Sequence, residues 1–242
     1  MTLEFTRVGL APHYVDYSAG WDLQRQLHRR VLGAEAPDTV LLLEHSPVYT
    51  AGRRTEPHER PFDGTPVVNV DRGGKLTWHG PGQLVGYPIL RLSDPAHIKA
   101  YVAALEAAVI SVLQDYGIAG TRIEGRSGVW IRGDGMPFGV PDRKIAAVGI
   151  RVDHGVTMHG FSLNCSNDLA PYSQIIACGI TDAGTTSISA ETGRTVTPAD
   201  VVARVEQELA AREADLTGTT TVKNLPGTGA IPAGSRPKGA LL

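Results

Sequence analysis

Lys144-Ile-Ala-Ala-Val-Gly-Ile-Arg-Val152 and Val156-Thr-Met-His-Gly-Phe-Ser-Leu-Asn164 read as two strands, and Asp153-His-Gly155 between them reads as a tight hairpin turn. Two shorter strand-like runs precede them, Thr121-Arg-Ile123 and Gly128-Val-Trp-Ile-Arg132, punctuated by Gly133-Asp-Gly135 and Pro141-Asp142. Consecutive strands with short connections pair antiparallel, because a parallel pair needs a crossover of about a dozen residues. The stretch therefore excludes a purely doubly wound fold. It predicts an α/β protein with a mixed, largely antiparallel sheet and flanking helices.

The flanks supply the helices and further strands. From Ala96 to Tyr116, Val102, Leu105, Val109, Val112, Leu113 and Tyr116 recur at three- and four-residue steps, with Asp94-Pro95 before them and Gly117 after. Asp22 to Val31 is a shorter amphipathic helix, and Thr197-Pro-Ala-Asp200 opens a last one with Val201, Val205 and Leu209 inward. Asp38 to His45, Pro66 to Val70 and Gln83 to Leu92 read as strands. One domain is expected over 1–216. The Gly-, Pro- and Thr-rich 217–242 buries too little apolar surface to order itself and reads as a flexible tail.

With 23 Lys and Arg against 25 Asp and Glu, the net charge of -2 argues against bulk nucleic-acid binding. No apolar run reaches membrane-spanning length, the first residues lack a signal core, and two cysteines make no disulfide framework. The protein reads as cytoplasmic, with no membrane partner.

Between the strands at Pro66–Val70 and Gln83–Leu92 lies Arg72-Gly-Gly-Lys-Leu-Thr-Trp-His-Gly-Pro-Gly-Gln83. Glycines at this density suit a loop whose amides line a ligand, with Arg72 and His79 aimed at polar ligand atoms; a long hairpin loop is the plainer reading. Of the two cysteines, Cys165 ends an apolar strand and reads as a core residue. Cys178, followed by Gly179, suits a nucleophile beside backbone donors, or a second core cysteine next to a turn. Lys144 opens an apolar strand, where charge is costly unless used.

A lysine beside a thiol favours the thiolate by charge attraction. An ordinary thiol is about 3% ionised at pH 7, and a drop of about two pKa units raises that roughly 25-fold. The lost basicity takes back roughly 8-fold, leaving about threefold. A useful Lys144 must therefore also carry a proton.

Five blocks then occur in the order found in lipoyl(octanoyl) transferases, which the chain resembles over residues 5 to 210. They are Glu44-His-Ser-Pro-Val-Tyr-Thr-Ala-Gly52, the Arg72–Gln83 motif, Lys144-Ile-Ala-Ala-Val-Gly149, His159-Gly-Phe-Ser-Leu-Asn164 and Ala177-Cys-Gly-Ile180. Ala177 departs from the proline usual before the cysteine. The resemblance implies the catalytic fold of biotin and lipoate protein ligases. It implies transfer of an octanoyl (or lipoyl) group from acyl carrier protein to a lysine of lipoyl domains, in 2-oxoacid dehydrogenase E2 subunits and the glycine cleavage H protein. Catalysis would use a Cys178 thioester with Lys144 as acid and base, and no cofactor or metal. Arg72, Gly73, Gly74, Lys75, Leu76, Thr77, Trp78 and His79 would line the substrate tunnel with Ala147, Val148, Gly149, Gly160, Phe161 and Ser162. Two alternatives stand beside it: an ATP-dependent lipoate or biotin protein ligase, and a non-catalytic acyl- or carrier-protein-binding module. Arg53, Arg54 and Arg60, clustered in one loop, suit an acidic carrier protein or a plain solvated loop.

Overall fold

The computed structural model describes residues 2–61, 64–136, 139–175 and 182–219. The strands are β1 (Glu4–Gly9), β2 (Thr39–Leu43), β3 (Val48–Ala51), β4 (Val67–Asn69), β5 (Leu76–His79), β6 (Gln83–Ile89), β7 (Gly120–Ile123), β8 (Arg126–Ile131), β9 (Arg143–Asp153), β10 (Val156–Asn164) and β11 (Gly184–Thr185). The helices are α1 (Tyr17–Leu32), α2 (Ile98–Gln114), α3 (Ile188–Thr192), α4 (Pro198–Ala211) and α5 (Glu213–Thr217). The main sheet runs β1-β2-β6-β10-β9-β8-β7, with β11 alongside β9. The β1–β2 and β11–β9 pairs are parallel and the other main-sheet pairs antiparallel. A small sheet, β4-β3-β5, stands apart.

The β9–β10 hairpin turns at His154 and Gly155, both at positive φ, which matches the right-handed twist of the strands it joins. Residues of β2, β6, β9 and β10 that share one face pack with α2 and α4 in the larger core, which holds Leu42, Leu84, Leu105, Val109, Phe161, Leu163, Val205 and Leu209. Each such fully buried leucine contributes about 1.5–3 kcal/mol. The alternate residues Leu41, Leu43, Val85, Tyr87 and Met158 meet Leu27 and Val31 of α1. The alternation of a strand thus builds two cores, one on each side of the sheet.

The first helix differs from the sequence expectation at its start, and the last long one begins as expected. α1 starts five residues earlier than its apolar pattern, because the Asp16 carboxylate accepts from the amides of Ser18 and Ala19 and caps it. Thr197 and Asp200 form the reciprocal cap of α4. The chain continues into α5, which buries Leu216 and Thr217. The expected tail therefore contributes its first residue to the fold, and 220–242 lie outside the described residues. Among the described residues no helix is long and apolar enough to cross a membrane.

Candidate active site

A cavity of about 220 Å³ separates the main sheet from the small sheet. Its floor comes from β6, β9 and β10, where Val85 pairs with Ser162, Ser162 with Ala147, and Gly160 with Gly149. Its roof is the loop before β5 with Thr77 and His79, and Tyr17 closes it from α1. The floor is bare because side chains do not fit there. A Cβ on Gly160 would stand 2.2 Å from the Gly86 carbonyl oxygen. A larger hollow of about 720 Å³ lies among α1, β2 and α5, lined by residues such as Val31, Pro37, Arg91 and Glu213. It presents no thiol, imidazole or lysine, whereas the smaller cavity presents Lys144, His79 and His159.

Lys144 lines that cavity and a side chamber of about 20 Å³ shared with Thr77, Ala147 and Ser162. It is not a loose edge residue. Its backbone lies between β8, where Trp130 is its partner, and β11, where Thr185 is. Its Nζ stands 5.1 Å from the centre of the buried Trp130 ring. Cys178 and Ala177 lie outside the described residues. Residues described on either side of that segment lie near Lys144: Tyr172 and Thr185 line its side chamber. Ile175 packs with Leu76 and Trp78, and Asp182 pairs with Arg126, a cavity-lining residue, at 2.6 Å. Cys165 is buried in the large core, where burial pushes its thiol pKa far up; it stays a protonated thiol.

The Arg72–Gln83 stretch differs from a ligand-lining loop in half of its residues. Leu76–His79 is a strand, so its side chains alternate. Thr77 and His79 face the cavity, while Leu76 and Trp78 turn away and pack with Tyr49, Ala51 and Ile175. Trp78 is buried against Tyr172 rather than exposed. Arg72 lines the cavity, but its guanidinium donates to the carbonyls of Gly73, Lys75 and Thr50 and to the Thr50 hydroxyl. It braces the loop more than it offers itself to a ligand. The Gly73 amide donates to Ile150, which seats the loop on β9, and Lys75 pairs with the buried Glu59.

His79 Nδ1 donates to Gln83 Oε1 at 2.7 Å, because the Gln83 amide nitrogen is already donating to Asn164 and Tyr172. Its Nε2 is therefore an acceptor. Burial, with His45 beside it, pulls the His79 pKa down to about 3, so the ring is neutral. His45 is wholly buried, donates from Nδ1 to Val15 and accepts from the Tyr87 hydroxyl at 2.7 Å; burial lowers its pKa to about 4. His159 sits at φ +57 and donates from Nε2 to Asp71 at 2.7 Å. That bond, with Arg151, holds the Asp71 carboxyl well below the usual carboxylate range.

Comparison with known proteins agrees with this architecture. The lipoyl protein ligase A/B catalytic domain matches residues 16–210. An octanoyltransferase of Arthrobacter sp. (strain FB24) is 65% identical over 213 residues, 88% of this chain and 95% of the relative. One from Thermobifida fusca is 52% identical over 90% of this chain and 91% of its own. This chain belongs to the octanoyltransferase family. Among solved structures, a bipartite lipoate protein ligase from Thermoplasma acidophilum superposes with a TM-score of 0.62 at 13% identity, covering 87% of this chain and 83% of that one. At that identity the likeness speaks for the fold.

Within this octanoyltransferase the cavity gathers Lys144, Arg72, Gly74, Lys75, Thr77 and His79 with Ala147, Val148, Gly149, Gly160, Phe161 and Ser162. Gly73, Leu76 and Trp78 are not in its wall. Tyr17, Arg54, Val85, Tyr87, Gly125, Arg126, Ser127 and His159 are wall residues that the motifs did not single out for that role. Tyr17 and Tyr87 carried no local signal: Tyr17 opens α1 one turn before Trp21, and Tyr87 is a single aromatic within β6. Among the described residues no cluster of three His, Cys, Asp or Glu could hold a metal ion.

Proposed function

We propose that this octanoyltransferase carries its acyl group on Cys178 as a thioester and uses Lys144 as the acid and base of both half-reactions. The supporting observation is the placement of Lys144. It lines the cavity and shares its side chamber with Tyr172 and Thr185, which flank the Cys178 segment in sequence. In the first half-reaction the thiol gives its proton and attacks the donor thioester carbon. The acyl–sulfur bond to the carrier breaks and the departing thiolate takes a proton. In the second, the acceptor lysine loses a proton, attacks the enzyme thioester and releases the cysteine. Lys144 moves the proton in each. One thioester replaces another of similar energy, so the exchange proceeds without ATP. The chain would lie on the Gly149–Gly160 floor, where burying about seven methylenes is worth on the order of 5 kcal/mol.

The donor is an octanoyl-acyl carrier protein. The acceptors are lipoyl domains such as those of 2-oxoacid dehydrogenase E2 subunits and the glycine cleavage H protein. Intact mass after incubation with octanoyl-carrier protein, without ATP, tests the intermediate. A hydroxylamine-labile octanoyl adduct is expected on wild type and Cys165→Ser and absent from Cys178→Ser. An adduct that survives in Cys178→Ser as a thioester, or transfer that requires ATP, would overturn the reading.

Arg54 lines the cavity and Arg53 precedes it in an exposed loop held by amide bonds to Arg72 and Gly74. This places positive charge where an acidic carrier would deliver its arm. Reversing both to glutamate is expected to raise KM for the carrier-bound donor at least about tenfold, and KM for a small octanoyl thioester by less than about twofold. Equal effects on the two donors would remove the docking role.

A further inference from the structure

Lys144 meets β8 where the pairing of both strands is irregular: β9 carries one extra residue, Ile145, against β8, and β8 carries two extra residues between Arg126 and Trp130 against β7. The register between β8 and β9 slips between Val129, paired with Ala146, and Trp130, paired with Lys144. Just before the slip stands Gly128, at φ +109, a conformation that side chains rarely adopt. A Cβ there would lie 2.3 Å from the Ala146 carbonyl oxygen and 2.7 Å from Lys144 Cε. The lysine stem therefore runs over bare backbone on one side and beside the Trp130 ring on the other.

The irregular backbone is tied down from behind. The Gly128 amide donates to Glu106 Oε1 at 2.7 Å. Glu106 comes from α2, is 6% exposed, and meets Arg122 Nε through its second oxygen at 3.1 Å. A carboxylate buried in an otherwise apolar helix face is costly unless its bonds are used. Here one of them fixes the peptide that faces the lysine stem.

We propose that Glu106, acting through the Gly128 amide, is a positioning residue for Lys144: it holds the β8 bulge in the shape that leaves the lysine stem room to reach the cavity. The proposal rests on the role given to Lys144 above. It adds a remote side chain, on the far side of β8, on which that role depends. Misplacing a reacting group by about 1 Å costs on the order of 100-fold in rate, which sets the scale of effect.

The test compares Gly128→Ala, Glu106→Leu and Glu106→Gln with wild type. Circular dichroism and thermal melts establish that each is folded. Two readouts follow: kcat and KM with octanoyl-carrier protein, and the rate of trace acetylation of Lys144 relative to exposed Lys99, read by mass spectrometry. Gly128→Ala and Glu106→Leu are expected to lower kcat about 10- to 100-fold with KM within about twofold, and to change the Lys144/Lys99 ratio at least about threefold. Glu106→Gln keeps an acceptor for the Gly128 amide and is expected to recover most of both values. Folded variants with a wild-type ratio would overturn the proposal, whatever their activity. So would Glu106→Gln as defective as Glu106→Leu, since charge rather than the hydrogen bond would then be at work. If Gly128→Ala fails to fold, the two Glu106 variants decide alone. The acetylation ratio does not depend on turnover, so a fully active Lys144→Met would end the acid–base reading and leave the positioning result to stand or fall separately.

Discussion

Replacing Lys144 with methionine is expected to lower kcat for octanoyl transfer by about 10²–10⁴-fold, with KM for the carrier-bound donor within a few fold of wild type. Methionine keeps an unbranched stem beside Trp130 and beside the bare Gly128 backbone, so packing is largely preserved. What disappears is the group proposed to move the proton. The two half-reactions separate the possible causes. Charge tuning of the thiol alone is worth about threefold in acylation. A loss of that size, confined to acylation, would reduce Lys144 to an electrostatic neighbour. A large loss in both acylation and transfer to the acceptor amine fits a shared acid and base. Rapid-quench measurement of enzyme thioester formation and decay gives both numbers, and an unchanged kcat would sink the role.

Lowering the pH from 7 to 5 is expected to weaken folding by roughly 3–4 kcal/mol through His45 and His79 together. Both rings are buried, and both have pKa values below the ordinary histidine value, at about 4 and about 3. Between those values and about 6.5 the unfolded chain binds protons that the folded chain refuses. Stability therefore rises with pH through this window and flattens above it. Each group accounts for about 2 kcal/mol at pH 5. Glu106 works in the opposite direction, since burial raises its carboxyl pKa and the folded state holds that proton more tightly. Urea unfolding at the two pH values, for wild type and His79→Gln, reads the effect. A His79→Gln protein whose acid sensitivity equals that of wild type would remove His79 from the account.

The parts of this architecture that the chain announces are those with a local cause. The β9–β10 hairpin is written in His154-Gly155, α2 in its apolar spacing, and the start of α4 in Thr197 and Asp200. β1 went unread because its residues are mostly exposed or half-buried and its order comes from parallel pairing with β2 across about thirty-five positions of chain. β5 was hidden for a different reason. Its four residues follow glycines, and they become a strand through β3, which pairs with them from Val48–Ala51. Once they do, alternation decides which side chains meet the cavity, and a contiguous motif is divided between ligand wall and core. The site itself was legible as a set of blocks, including Lys144 and the two glycine-bearing strands. The walls supplied by Tyr17, Tyr87 and Arg126 are consequences of packing, and no neighbour in sequence marks them.

β9 carries both Lys144 and Gly149 of the cavity floor; its pairing with β10 is regular from Ala146 onward, and its extra residue against β8 lies between Lys144 and Ala146. Five residue steps separate the two, at most about 17 Å at roughly 3.3 Å per residue. That interval is set by covalent geometry and by ladder bonds to a neighbouring strand, both far stiffer than a loop. On the reading proposed above, the strand would serve as a ruler laid along the acyl chain, with the proton carrier near its zero mark. Shifting the preferred chain length would then mean adding atoms at particular divisions of the ruler, since the ruler itself cannot stretch.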